Sequence, residues 1–262
     1  MYVDIPQTRQ EFTRYLAEVN FMDQEFGNVL SILDQEKVAG QSVVVYLSEQ
    51  GNSLPFAKWT CYDAGVHSAC IIRWPGVVKP GSVSDALIEY VDMVPTFVDI
   101  AGGKPQAKVD GESFKSVLTG KKKEHKKYFF SLQTSRGINK GPEFYGIRSV
   151  YDGRYRYIVN LTPEAIFRNA MTASSLFKEW EQLAETDAHA KTITSKYQYR
   201  PAVELYDVRN DPFCMNDLAG DAKYSSIVTR LDTELKKWMK ACGDEGQATE
   251  MRAFEHMPSR QK

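Results

Sequence analysis

The 262-residue chain carries 33 Lys and Arg against 34 Asp and Glu, a net charge of −1, with 42% hydrophobic and 26% charged residues. That balance excludes a disordered polymer and leaves no overall positive field to draw in nucleic acid or an acidic membrane, so any anion must be recognised by local charge. No stretch approaches the roughly 20 apolar residues of a membrane span, and Met1-Tyr2-Val3-Asp4-Ile5-Pro6 has neither the basic nor the apolar region of a signal peptide.

The length accommodates one large domain, or one domain and a smaller one. Residues 9–36 read as a long amphipathic helix, because Phe12, Tyr15, Leu16, Val19, Met22, Phe26, Val29, Leu30 and Leu33 recur at three- and four-residue spacing. Thr8 is its expected N-cap, with Glu11 three residues on, and Gly40 lies just past its end. Val43-Val44-Val45-Tyr46-Leu47 is short, continuous and β-branched, which predicts a strand buried on both faces, as in a parallel sheet between helices. Ala69 to Trp74, stopped by Pro75-Gly76, predicts a second core strand. Residues 85–101 read as a helix, with Asp85 near its start and Gly102-Gly103 ending it. This order predicts the edge of an α/β sandwich over residues 1–120.

The character changes near residue 120. Lys121 to Lys127 is a basic run around Glu124 and His125, read as a solvated loop close to a domain boundary. Beyond it, Tyr128-Phe129-Phe130, Tyr145 to Val150 and Tyr155 to Val159 predict strands, with Asp152-Gly153 as the hairpin turn between the last two. A helical stretch over 163–186, a short strand at Glu204-Leu205-Tyr206-Asp207 and an amphipathic helix over 222–241 complete the pattern. Residues 121–262 are therefore expected to form a small α+β subdomain with an antiparallel sheet, and the tail after Cys242 is expected to be mobile. Cys61, Cys70, Cys214 and Cys242 form no CxxC pair. They read as free thiols rather than a zinc site, with a Cys61–Cys70 bridge as the alternative.

The chemistry-bearing stretch is Ser48-Glu49-Gln50-Gly51-Asn52, directly after the first strand, followed by Lys58. Polar residues at the C-terminal end of a strand are where open α/β sheets bind ligands. Glu49 and Gln50 place a carboxylate and an amide oxygen side by side, a donor type suited to Ca²⁺ or Mg²⁺, although two oxygens fall short of a full shell. Lys58 offers a point positive charge for an anion. Taken alone, the same turn is equally at home on an ordinary surface loop.

The run from Val43 to Gly76 resembles the type I sulfatases of the alkaline phosphatase superfamily. Their pattern is a strand, Ser-Asp-His/Asn-Gly, then Gly-Lys-x-Thr-x-Tyr-Glu/Asp-x-Gly, then a strand ending in Trp-Pro-Gly. Here it reads Ser48-Glu49-Gln50-Gly51, Ala57-Lys58-Trp59-Thr60-Cys61-Tyr62-Asp63-Ala64-Gly65 and Arg73-Trp74-Pro75-Gly76. Tyr90-Val91-Asp92-Met93-Val94-Pro95-Thr96, Gly111-Glu112-Ser113-Phe114 with Leu118-Thr119-Gly120, Tyr145-Gly146-Ile147-Arg148 with Arg154-Tyr155-Arg156-Tyr157, and Glu204-Leu205-Tyr206-Asp207 with Asp211-Pro212 continue the resemblance in order. It covers about residues 5–242 and is closest to the heparan N-sulfatase-like bacterial branch.

The resemblance implies the C-terminal portion of an alkaline-phosphatase-like α/β/α sandwich followed by the α+β subdomain. It implies hydrolysis of sulfate esters or sulfamates, a sulfated small molecule or glycan as substrate, a divalent cation, usually Ca²⁺, and a formylglycine made in a Cys/Ser-x-Pro-x-Arg motif. By position, Glu49 and Gln50 align with metal ligands, Lys58 with the lysine that contacts the sulfate, and His67 falls where many members carry an arginine after a glycine, to be read as a group near substrate or as an ordinary loop histidine. The chain departs from the pattern twice. Glu and Gln replace the usual Asp and Asn/His, and no cysteine stands in the nucleophile motif; His256-Met257-Pro258-Ser259-Arg260 mimics its frame by chance. The chain is thus expected to match the last half of such an enzyme and to leave apolar sheet edges exposed. The alternatives are a non-catalytic binding module of the same fold and a phosphoester hydrolase.

Overall fold

The computed structural model describes residues 1–104, 108–134, 145–252 and 255. The chain divides into two compact units: residues 1–11, 50–67 and 130–262 in the first, and residues 12–49 and 68–129 in the second.

Helix α1 spans Pro6–Gln35. Proline suits a first helical turn, where its missing N–H has no intrahelical acceptor to lose. The helix thus starts before Thr8, which is not its cap. Thr8 is buried instead, and its hydroxyl accepts a 2.9 Å hydrogen bond from the Trp180 indole, within the first unit. The far end closes earlier than Gly40: Lys37 takes the left-handed conformation (φ 59°) and the Val38 N–H reaches back to the Leu33 carbonyl, a Schellman closure. Thr8 is the one fully buried residue of α1; Leu16 and Phe21 are each 60% exposed.

The one-turn helix α2 (Asp63–Val66) belongs to the first unit. In the second unit, β1 (Val44–Leu47) pairs with β2 (Cys70–Arg73). The pairing is antiparallel, Val44 opposite Arg73 and Leu47 opposite Cys70, so the expected parallel, doubly buried strand is not what forms. Both strands are only partly covered, and Ile71 is exposed. A continuous apolar run signals a strand but carries no information on partner direction. The predicted 85–101 helix is shorter than its pattern. A one-turn 3-10 helix at Tyr90–Asp92, closed by reciprocal Glu89 and Asp92 capping, leads into α3 (Met93–Ile100). Asp85 is not its cap, while Gly102 ends it at φ 76° as expected. Gly111 packs so tightly on the Val91 carbonyl that no side chain fits there. Helix α4 (Lys115–Leu118) follows.

The first unit holds a four-stranded sheet in the order β3 (Phe129–Gln133), β4 (Ile147–Tyr151), β5 (Tyr155–Asn160), β6 (Val203–Asp207). The β4–β5 and β5–β6 pairs are antiparallel. The Asp152-Gly153 turn closes as expected: Gly153 sits at φ 91° and the Asp152 carboxylate accepts the Arg154 and Tyr155 N–H groups. The stretch read as one helix over 163–186 is helical only in α5 (Ser175–Leu183), which is capped by Ser174, and a further helix, α6 (Ala188–Gln198), is capped by Asp187. Helix α7 (Ser225–Ala241) buries Leu231 and Leu235, and Trp238 stacks flat on Phe130 at 5.0 Å.

The tail beyond Cys242 is ordered rather than mobile as far as Arg252. Helix α8 (Gln247–Met251) follows Asp244, and both are clasped by buried Arg148, whose guanidinium meets Asp244 at 2.5 Å and Glu250 at 2.8 Å. The residues at 256–260 lie outside the described set. Neither Cys61, which is buried, nor Cys70, which is exposed, is in a disulfide, so the Cys61–Cys70 bridge does not form.

Candidate functional site

The loop between β1 and β2 carries the residues singled out by sequence. Ser48 directly follows β1 and is held on three sides in the second unit: its N–H meets the Ala69 carbonyl at 3.0 Å, its hydroxyl accepts the Ala69 N–H at 2.7 Å, and its carbonyl accepts the Tyr90 hydroxyl. Glu49 follows directly and is exposed; Gln50, also exposed, is the first residue of the loop that belongs to the first unit.

Residues 50–67 are folded on themselves. Gly51 lies against the Lys58 nitrogen and the Ala64–Gly65 backbone so closely that a Cβ would sit 2.6 Å from the Ala64 carbonyl and 2.9 Å from that nitrogen. The Lys58 N–H donates to the Asn52 carbonyl at 2.9 Å. Lys58 is flanked by two non-glycine residues in the left-handed region, Phe56 (φ 68°) and Trp59 (φ 67°). Each such conformation costs about 1–2 kcal/mol, and the surroundings must enforce it. They do so through burial: Phe56, Ala57, Cys61 and Tyr62 are all buried, and Phe56 packs 5.0 Å from Tyr197. Tyr62 is thus a core residue. Gly65 presses onto the Ala57 and Thr60 carbonyls, leaving no room for a methyl group.

Two long-range polar ties anchor the loop. The Asp63 carboxylate meets the buried Arg156 guanidinium of β5 at 2.7 Å and the His67 ring at 3.1 Å. Burial pushes the Asp63 carboxyl up, but hydrogen bonds from His67 and Arg156 and the Arg156 charge outweigh it and hold the group below the ordinary carboxylate range. The hydrogen bond to Asp63 raises His67 above its ordinary value, although the ring is largely exposed. The second tie runs from the Tyr62 hydroxyl to Glu204 of β6 at 2.9 Å. The same carboxyl accepts the Asn160 amide at 2.8 Å and the Tyr206 hydroxyl. Burial, then the Glu204 charge, pushes Tyr62 well up, so it remains a neutral donor. Asp63, Arg156 and Glu204 each stand in a family-like stretch, but no local pattern marks them as partners.

Gln50, Lys58 and His67 therefore share one loop of the first unit, and Glu49 stands at the boundary in the second. Among the described residues no group of three His, Cys, Asp or Glu side chains converges to hold a metal ion. Cys61 and Cys214 are poor nucleophile candidates: burial pushes Cys61 up to about 11 and Cys214 up to about 12, keeping both protonated at neutral pH.

His125, read as solvated, is the opposite. Its side chain is 7% exposed, with Nε2 3.3 Å from the fully buried Asp92 and its ring edge-on to Phe114. Asp92 lies 33 positions upstream, and the lysines on either side of His125 hide this from the local composition.

Residues 51–168 match the family model for the C-terminal region of N-sulphoglucosamine sulphohydrolase. Across 91% of its length the chain is 34% identical to an ulvan-active sulfatase of Formosa agariphila. The chain belongs to the type I sulfatase family. The chain is also 27% identical, over 89% of its length, to the human N-sulphoglucosamine sulphohydrolase. It spans 44% and 48% of those two relatives, under half of each. Its fold matches a solved structure in complex with its substrate D-glucosamine-2-N,6-O-disulfate, at a TM-score of 0.66 and 22% identity over 89% of the chain and 41% of that protein. It also matches a 2-O GAG sulfatase at a TM-score of 0.63 and 21% identity, over 87% of the chain and 42% of that protein. These neighbours place it in the C-terminal part of the alkaline-phosphatase-like α/β fold.

Proposed function

We propose that this chain forms the C-terminal part of a sulfatase that hydrolyses sulfate esters or sulfamates on carbohydrate, with Lys58 as its sulfate-contacting residue. The observation that carries the reading is the Lys58 backbone, held between two left-handed residues on a loop that Gly51, Gly65, Tyr62 and Asp63 lock in place. Sulfate transfer needs a cation beside the breaking bond, because charge builds on the sulfate and leaving oxygens, and a lysine carried on a held backbone would supply it with less reorganisation. His67 is the second candidate on the loop, since Asp63 favours its imidazolium form.

Glu49 and Gln50 would hold part of a divalent cation site, and the ion, Ca²⁺ by the family pattern, would polarise sulfate oxygens. Two oxygens do not fill the six to eight positions of calcium, so these two residues alone do not complete the shell and no step is assigned to the ion. The formylglycine nucleophile is likewise not encoded, since no Cys/Ser-x-Pro-x-Arg motif occurs in the sequence. The reading assigns turnover to a polypeptide that joins such a motif to this chain. The sulfated-glycan substrate class rests on the relatives' names, ulvan-active sulfatase and N-sulphoglucosamine sulphohydrolase.

The test is a chimera in which residues 1–262 replace the matching region of the ulvan-active sulfatase. Hydrolysis of 4-nitrophenyl sulfate in clear excess over 4-nitrophenyl phosphate supports the reading; the reverse preference favours a phosphoester hydrolase. The alternative reading is a binding module of the sulfatase fold. A folded chimera that turns over neither ester decides for it.

A further inference from the structure

The run Lys121 to Lys127 packs five lysines into seven residues of a chain whose net charge is −1. It lies in the second unit, between α4 and the start of β3 in sequence, and its backbone is pinned. The Lys122 N–H donates to the Ser116 carbonyl at 3.0 Å, and Lys126 forms an antiparallel bridge with Leu87. Two side chains of the run turn inward. His125 packs against Asp92 and Phe114, and the Lys126 ammonium reaches Asp92 at 2.8 Å and Glu89. Asp92 is further saturated by the Glu89 and Glu112 N–H groups. Asp99, the acid that feels the Lys121 charge, is already held by Ser113 and Lys115.

The structure thus sorts the run into anchors and a display. Lys121, Lys122, Lys123 and Lys127 are exposed, with Glu124 the one exposed acid among them, on a backbone that cannot drift. We propose that these four lysines form a docking patch for a sulfated polysaccharide chain. Lysine ammoniums are point charges, suited to sulfate groups that recur along a polymer and need no bidentate geometry. A pinned backbone lowers the entropy lost when the chain docks. A nucleic acid fits less well: the run has no arginine to read bases, and the chain has no positive field to add. The choice of a sulfated glycan rests on the functional reading above, whereas the existence of an anion patch does not.

The experiment uses heparin, de-N,O-sulfated heparin and a 20-base-pair DNA duplex as probes, titrated calorimetrically into the 262-residue chain at two salt concentrations. Heparin binds, its affinity falls steeply with salt as about four counterions are displaced, and the desulfated polymer binds at least about tenfold more weakly. The variant K121S/K122S/K123S/K127S loses about tenfold or more in heparin affinity with an unchanged melting temperature, and K122S/K123S falls between. Absence of heparin binding, a quadruple variant within twofold of the parent, or equal binding of the desulfated polymer overturns the proposal. So does tighter binding of the duplex through the same lysines. Turnover of a small aryl sulfate by the chimera does not depend on these lysines, so failure of the patch and failure of the sulfatase reading are read separately.

Discussion

Replacing Arg156 with methionine removes the cation that holds Asp63, and with it the main ionic tie between the Lys58 loop and the sheet. The pair is close (2.7 Å), Arg156 is 2% exposed and the Asp63 side chain is 12% exposed. Removing one member of a buried ion pair costs about 3–5 kcal/mol, because the other charge stays buried without compensation. His67 keeps its contact with Asp63, which puts the expected loss at the lower end, about 3 kcal/mol. For a chain of this size that is a fall of about 6–12 °C in melting temperature. Urea unfolding followed by tryptophan fluorescence reads it, since Trp180 is fully buried in the same unit. Adding Asp63→Asn restores part of the loss, with a coupling of at least about 1.5 kcal/mol in a double-mutant cycle. A loss below about 0.5 kcal/mol, or strict additivity, refutes the assignment of this pair as the loop's anchor.

Other perturbations probe the same loop. Gly65→Ala places a methyl 2.5 Å from the Ala57 carbonyl and 2.6 Å from that of Thr60; a loss of about 2 kcal/mol or more is expected by thermal melting, and a neutral result contradicts the close packing. Tyr62→Phe takes a hydroxyl donor from the buried Glu204 carboxyl and should cost about 1.5–3 kcal/mol, the range for a hydrogen bond to a charged group. Stability should also depend on pH at both ends. The lowered Asp63 contributes above its unfolded value, about 3.9, and its contribution is lost as pH falls through the lower folded value. The raised His67 contributes below its unfolded value, about 6.5, and its contribution is lost as pH rises through the higher folded value. Urea midpoints from pH 3 to 9 should show both limbs, and His67→Asn should remove the alkaline one while leaving an acid limb.

What was legible in the sequence was what repeats locally. The three- and four-residue spacing located α1 to within a few residues, and Asp152-Gly153 marked the β4–β5 turn. The same spacing gave no sign that most of the α1 apolar face stays uncovered, because periodicity defines a face and not its partner. Helix α6 escaped notice. Its buried Ala190, Ile193, Thr194 and Tyr197 have helical spacing behind an Asp187 cap, but threonines and a serine dilute the pattern. The loop motif was legible through its resemblance, including Lys58. The ties that hold it were not, because Asp63 and Arg156 are 93 positions apart, and Tyr62 and Glu204 are 142 apart. Nothing local in a carboxylate announces a partner at that distance.

The central claim is that the Lys58 ammonium meets the sulfate. Steady-state kinetics of Lys58→Ala in the chimera, set against the unsubstituted chimera on 4-nitrophenyl sulfate, test it most directly. A fall in kcat/KM of about 10²–10³-fold with an unchanged melting temperature is expected, whereas a rate within twofold of the parent would contradict the role of Lys58.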